Sequence, residues 1–589
     1  MTVTQGGVSL TSRYIPARDG TGLAVDIWLP ADCAGAKLPT IFTLTRYWRS
    51  AGFKEDTLAW QKSHEEAVLL TTRGYAYVVA DSRGSGASFG TRDCEFSEAE
   101  IGDIEVLMAW IAGRPWSNGN VASTGTSYTG NTAFCCASGS PPALKVVVPY
   151  AADFDVYAQL VRPGGLENFF TRDWGAGVRA LDQNDHETLL NNMSTPPPEP
   201  IAVNFTGVRP VDEDTDGSLL MAAVGEHADN FNVGSIAAHM DYRDQKDDTV
   251  NLLNRASVYF HRDNIEKSSL PIHYRTGWLD AGTPQGALSL FNTFSNPKRV
   301  IIGPWNHGNN YLVNPYINDK PVALPLEEKV DLTVGSLAPY VRDDDGDSAT
   351  EMGVLEYYTY AENVWKTTRV WPLPETRMTR FYLHAGHTLV AKAPGLEGGE
   401  DHYKVDPTAT TGATNRWHTN LGGGPVLYPD RREEDKKLLI YETQPLATDT
   451  EITGHPVLRL FLALSQEDGD VIVYLEDVGP DGTVYYITEG CLRVRHRKVS
   501  PPPYAFAGPY HSFRREDAEP LVPETVTELM IGLFPTSVLF RKGHRIRLAI
   551  SGADKGTFLP MGGVENAQWR IQRNSRHPSY LELPIIPRS

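Results

Sequence analysis

A chain of 589 residues is several times longer than a usual domain of about 100 to 200 residues, so two to four domains and a large core are expected. Hydrophobic residues at 41% and charged residues at 22% exclude a disordered or collagen-like chain, and a formal charge of −19 leaves no cationic excess for nucleic acid or an acidic membrane surface. The five cysteines, Cys33, Cys94, Cys135, Cys136 and Cys491, lack CxxC spacing, which speaks against a disulfide framework or a zinc site and fits a reducing compartment.

Met1 to Arg13 has no basic start followed by an apolar run, and no stretch of about 18 apolar residues follows later. A cytoplasmic protein without a membrane partner is the expectation. The first third alternates strand-like and helix-like segments, the pattern of an α/β fold with a mostly parallel sheet. Thr40 to Leu44 reads as a buried strand. Tyr75 to Ala80 reads as another, ending in the glycine-rich turn Asp81-Ser82-Arg83-Gly84-Ser85-Gly86. Ile104, Leu107, Met108 and Ile111 recur at helical spacing, and Pro115 stops that helix.

Asn118-Gly119 then turns the chain into a short strand, Val121 to Thr124, which runs straight into Gly125-Thr126-Ser127-Tyr128-Thr129-Gly130. Leu144 to Val148 resumes the sheet. From 151 to 264 the pattern becomes polar, interrupted and locally helical, with a proline run at 196–198; this reads as an inserted, mostly helical cap dividing a core of residues 1–150 and 265–375. Sheet character returns at Pro271 to Tyr274 and Arg299 to Ile302. Beyond Trp371-Pro372-Leu373-Pro374, short alternating segments such as Arg380 to Leu383, Val457 to Leu462, Val471 to Leu475 and Arg545 to Ile550 predict an all-β domain over 376–589.

Residues 125–130 contain G-x-S-x-x-G between strand and helix, close to the G-x-S-x-G elbow of α/β hydrolases but not identical to it. Such a turn lifts a serine hydroxyl above the sheet beside a helix N-terminus, where backbone N–H groups meet a developing oxyanion. Alone, the motif is as often an ordinary glycine-rich turn. Gly277-Trp278-Leu279-Asp280 and Gly303-Pro304-Trp305-Asn306-His307 each follow an apolar strand, and the order Ser, Asp, His is that of α/β hydrolases. A serine hydroxyl needs a base to take its proton, here His307, and that imidazole needs a carboxylate to fix its tautomer, here Asp280.

With Arg18-Asp19-Gly20 near the start, Gly454-His455-Pro456, Thr488-Glu489-Gly490, residues 543–548 and the closing Leu581-Glu582-Leu583-Pro584, these segments make the chain resemble the cocaine-esterase and Xaa-Pro dipeptidyl-peptidase family of α/β hydrolases over nearly its whole length. The resemblance implies a hydrolase core, a mostly helical cap and a C-terminal jelly-roll β-sandwich domain. It also implies an oxyanion hole from the Tyr128 N–H and the Tyr47 hydroxyl, with Ser127, Asp280 and His307 catalytic. The sequence departs from the family's usual Pro-Tyr in having Arg46-Tyr47-Trp48-Arg49. Two arginines and Trp48 beside the oxyanion site either favour an anionic or aromatic acyl group or form solvated surface.

Asp153 and Asp155 follow a core strand and are candidates for holding a substrate ammonium group, against the alternative of a solvated cap entrance. Asp343-Asp344-Asp345-Gly346-Asp347 fails calcium-loop spacing, and His64-Glu65-Glu66 lacks the second histidine of HExxH, so no metal and no cofactor are expected. The expected function is hydrolysis of a carboxylic ester through a Ser127 acyl-enzyme. Amide or peptide hydrolysis and acyl transfer through the same intermediate are the alternatives, and an inert hydrolase core carrying a binding module is the competing class. A small-molecule ester or amide is the expected partner, and homo-oligomerisation is left open.

Overall fold

The apolar runs of the first third become strands buried almost without interruption: seven consecutive residues of Leu38–Thr45 and all six of Ile272–Gly277 are buried. Burial on both faces is what parallel strands covered by helices on either side require. The computed structural model describes residues 3–588 apart from 6, 55–56, 193–201, 203, 238–239, 245–253, 318–319, 344–350, 397–398 and 562–566. The proline run at 196–198 and all of the acidic loop beyond Asp343 therefore lie outside the described residues.

Eleven strands form the main sheet. They are β1 (Val3–Gln5), β2 (Val8–Pro16), β3 (Gly22–Pro30), β4 (Leu38–Thr45), β5 (Ala76–Asp81), β6 (Ser117–Thr126), β7 (Leu144–Tyr150), β8 (Ile272–Gly277), β9 (Lys298–Gly303), β10 (Val354–Thr359) and β11 (Val364–Thr368). Their spatial order is β1-β2-β3-β5-β4-β6-β7-β8-β9-β10-β11. From β5 to β10 all neighbours are parallel, while β1, β2 and β3 at one side and β11 at the other pair antiparallel. The chain leaving β4 goes to β5 on one side, and the chain leaving β6 goes to β7 on the other. A crevice therefore opens beyond the C-terminal ends of β4 and β6, where α/β folds place their ligands. This is the α/β-hydrolase arrangement.

The helix expected from the spacing of Ile104, Leu107, Met108 and Ile111 is α1 (Glu98–Ala112), and all four side chains are buried. Ser97 opens it with a capping box: its side chain accepts from the Glu100 N–H, and Glu100 accepts from the Ser97 N–H. It stops at Gly113, before Pro115 is reached. α2 (Tyr128–Gly139) follows the serine turn and buries Cys135 and Cys136, and none of the five cysteines forms a disulfide. Between β7 and β8 the chain is mainly helical and includes α3 (Phe170–Asp182). Two short strands there pair away from the main sheet, Phe205–Val208 with Ala51–Phe53 and Glu167–Asn168 with Phe558–Leu559.

From Arg377 onward, fourteen strands join in one β-rich network, the C-terminal jelly-roll domain. Its inner strands, such as Val457–Leu464 and Asp470–Val478, are buried nearly throughout. Among the described residues no helix is long and apolar enough to cross a membrane.

Candidate active site

β6 passes into α2 through Ser127, whose φ of 61° and ψ of −122° lie outside the regions open to most L-residues, at a cost of about 1–3 kcal/mol. The surroundings hold it there. The Ser127 N–H donates to the Tyr150 carbonyl at 2.9 Å. The Thr129 hydroxyl accepts from the Thr126 N–H at 2.7 Å and donates to the Thr126 carbonyl at 2.8 Å. A Cβ on Gly125 would meet the Thr129 backbone carbon at 2.5 Å, and one on Gly130 would meet the Tyr150 carbonyl oxygen at 2.6 Å, so both flanking positions require glycine. Tyr128 is the first residue of α2, and its N–H is among those a helix start leaves without an intrahelical acceptor.

β8 and β9 pair in parallel with Gly277 opposite Gly303, so the loops carrying Asp280 and His307 leave the sheet at one level. Both glycines are steric necessities: a Cβ on Gly277 would overlap the Trp305 carbonyl, and one on Gly303 the Trp305 ring. His307 Nδ1 lies 2.8 Å from Asp280 Oδ1, with the histidine 7% and the aspartate 1% exposed. Burial pulls the His307 pKa down, but the Asp280 charge and hydrogen bond outweigh it, and the net movement is upward from 6.5. Gly308 reaches toward the serine turn, where a Cβ on it would lie 3.9 Å from Thr126 Cγ2.

Ser127, Tyr47, Tyr128, Asp153 and Trp174 line one cleft with the apolar Phe96, Val156, Leu160 and Phe170, a mostly apolar wall with a few polar groups as small-molecule sites have. The Tyr47 ring meets Tyr128 edge-on, with centroids 5.6 Å apart. Trp174, on α3, donates its indole N–H to the Tyr47 hydroxyl oxygen at 2.8 Å, which leaves the phenolic proton free to point elsewhere. Burial pushes the Tyr47 pKa up to about 12, against the opposing hydrogen bond from Trp174. Tyr47 therefore stays a neutral donor at ordinary pH.

Asp153 is nearly buried, and its Oδ1 has no hydrogen-bond partner. Burial, aided by Asp280 and Asp155 and opposed by His307, raises its pKa to about 7. Asp155, by contrast, is occupied by Arg243 and the Tyr504 hydroxyl, each at 2.8 Å.

The Arg46-Tyr47-Trp48-Arg49 segment corrects the sequence reading. Neither arginine is solvated or aimed at an acyl group. Arg46 is buried against Glu95 and Asp182, and Arg49 against Asp26 and Asp81. Trp48 does not line the cleft: at a φ of 69° its side chain swings away, its indole N–H donating to the Leu181 carbonyl at 3.1 Å and its ring packing on Phe205. Sequence reasoning also missed Asn420, whose side-chain N–H donates to Asp280 Oδ1 at 3.0 Å. No motif surrounds it, and it comes from the C-terminal β domain.

A strand-to-helix serine turn beside a buried Asp–His pair, on this sheet order, is the scaffold of serine hydrolases of the α/β class. Comparison with known proteins agrees. The model of the X-Pro dipeptidyl-peptidase S15 family matches residues 19–309, and that of the X-Pro dipeptidyl-peptidase C-terminal non-catalytic domain matches residues 340–582. A Mycobacterium bovis protein named "Putative serine esterase" is 37% identical over 98% of this chain and 96% of its own. The cocaine esterase of a Rhodococcus species is 26% identical over the full length of both. A CocE/NonD family hydrolase from Staphylococcus aureus superposes with a TM-score of 0.71 over 98% of this chain and 94% of its own at 17% identity, a likeness of fold. The chain belongs to the cocaine-esterase and Xaa-Pro dipeptidyl-peptidase family of α/β hydrolases.

Proposed function

We propose that this hydrolase cleaves a carboxylic ester through an acyl-enzyme on Ser127. The reading rests on one observation above the others: a buried His307–Asp280 hydrogen bond of 2.8 Å, with the His307 loop reaching a strained serine turn through Gly308. His307 takes the Ser127 proton as the hydroxyl attacks the ester carbonyl, and Asp280 holds the other ring nitrogen and stabilises the imidazolium that forms. The Tyr128 N–H and the Tyr47 hydroxyl receive the negative charge that develops on the carbonyl oxygen. His307 then protonates the leaving alcohol, and water, deprotonated by the same imidazole, releases the acid. The apolar wall of the cleft suits an uncharged acyl group.

A burst with an activated aryl ester, lost in Ser127→Ala, tests this directly; turnover unchanged in that variant refutes it. Asp153 supports a second reading, hydrolysis of an amino-acid ester, amide or peptide, since a cleft carboxyl whose Oδ1 has no hydrogen-bond partner can take a substrate ammonium group. A panel of neutral and amino-bearing esters and amides separates the two, and product analysis with added amine or alcohol acceptors detects acyl transfer.

A further inference from the structure

The loops that carry Asp280 and His307 are held from outside the hydrolase core. One segment of the C-terminal β domain, Arg416 to Gly424, touches both. Arg416 is fully buried and directs its guanidinium at the Asp280 loop, donating to the Ala281 carbonyl at 2.9 Å and the Trp278 carbonyl at 3.1 Å. Its own carbonyl accepts from the Ala281 N–H at 3.2 Å. On the other loop, the Asn306 side chain donates to the Gly423 and Gly424 carbonyls at 2.8 and 3.0 Å. Gly423 has a φ of 67°, and a Cβ there would lie 3.1 Å from the His307 carbonyl, so the segment is pressed against the histidine loop's backbone.

Between these two anchors the chain makes a short 3-10 turn, His418–Asn420. Asn415 braces it: its side-chain oxygen accepts from the Trp417 and His418 N–H groups at 3.0 and 2.9 Å, and its amide donates to Thr411 and Thr557 at 2.8 and 2.7 Å. The turn delivers the buried Asn420 amide to Asp280 Oδ1 at 3.0 Å, the same oxygen that receives His307 Nδ1, and leaves it 3.1 Å from that nitrogen. Thr276 reaches the other carboxylate oxygen only at 3.4 Å.

We infer that Asn420 is a positioning residue for the hydrolytic reaction, supplied by the β domain: its amide orients the Asp280 carboxylate and shares its negative charge with His307. The inference rests on the proposed roles of Asp280 and His307. It assigns a part in the chemistry to a domain whose family description is non-catalytic. The charged groups acting on His307 are Asp280 and Asp153, which favour the imidazolium, and Lys329, which disfavours it. Asn420 is the neutral donor in this set. A donor to Asp280 draws carboxylate charge away from the imidazole, so its loss favours the imidazolium, and a higher pH is then needed to free the base.

The test is the acid limb of kcat/KM against pH for an activated aryl ester in the full chain, read beside the rate of Ser127 labelling by a fluorophosphonate. Asn420→Leu, close in size but without a donor, is expected to move the midpoint up by about one unit, which is about tenfold in rate on that limb. Asn420→Asp, nearly isosteric, puts a second carboxylate beside His307 and is expected to move it up by about one to three units. Asn420→Ser keeps a donor and is expected to stay closer to the parent than either. A midpoint unmoved in Asn420→Asp overturns the inference whether or not Asn420→Leu folds, and so does a midpoint unmoved in a folded Asn420→Leu, the variant that removes the donor without adding a charge. Turnover surviving in Ser127→Ala or His307→Ala overturns instead the reading on which the inference stands, so the two failures are distinct.

Discussion

Replacing Tyr47 by phenylalanine removes one oxygen from the cleft lining and tests the proposed oxyanion site most sharply. The phenolic proton is free because the hydroxyl oxygen already accepts from Trp174 at 2.8 Å, and with a pKa of about 12 the group stays protonated through any assay below pH 10. An oxyanion donor in a site of this kind contributes about 2.7–4 kcal/mol to the transition state, so kcat in Tyr47→Phe should fall by about 100- to 1,000-fold. The donor is aimed at charge that appears only as the serine attacks, so KM should change little. The structural cost is smaller: the half-buried Trp174 N–H loses its acceptor, at about 1 kcal/mol, and no cavity larger than a hydroxyl opens. Steady-state kinetics with an aryl ester, beside thermal melting, separates these contributions. Trp174→Phe keeps the phenol but not its restraint and should lose less, about tenfold or under. A kcat in Tyr47→Phe within threefold of the parent, in a protein where Ser127→Ala is inert, would refute the oxyanion assignment.

The proposed His307 base can act only when neutral, and the Asp280 charge lifts its pKa above 6.5, so kcat/KM should fall as pH drops, with a midpoint above that value; a profile flat from pH 5 to 8 contradicts a histidine base. Asp280→Asn should preserve the fold but lower kcat by about 10⁴, the effect of the wrong tautomer at such a pair, as measured with the same ester. Gly125→Ala places a methyl 2.5 Å from the Thr129 backbone, and overpacking of this kind costs about 1–3 kcal/mol, so both melting temperature and turnover should drop; a fully active, equally stable variant would show that the serine turn yields. Asp153→Asn should raise KM at least about tenfold for an amino-acid ester while sparing a neutral one, and equal effects on both would remove Asp153 from ammonium recognition.

Strands such as β4, β5, β7 and β8 were legible as apolar runs because a parallel strand buried on both faces admits little else; the polar β6 was legible only as a short segment between an Asn-Gly turn and the serine motif. The serine turn and the loops of Asp280 and His307 were legible for a related local reason. Each follows a strand end, and the chain there passes so close to a neighbour that only glycine fits, at Gly125, Gly277 and Gly303 and at Gly130 in the first turn of α2; such glycines stand near the candidate residue in the chain. The Arg46 to Arg49 segment misled because charge in a loop reads as solvated. Only the folded neighbourhood supplies Asp182, 136 residues from Arg46, or Asp26 and Asp81 for Arg49.

The hydrogen-bond partners at the candidate site were equally hidden. Trp174 lies 127 residues from Tyr47, and Asn420 lies 140 from Asp280. Each donates one hydrogen bond from a segment whose own pattern is set by packing elsewhere. A run of apolar residues or a glycine at a tight turn is dictated by what lies next to it along the chain, and local order records it. A single donor brought from another layer is dictated by a distance in space, which no spacing in the sequence encodes.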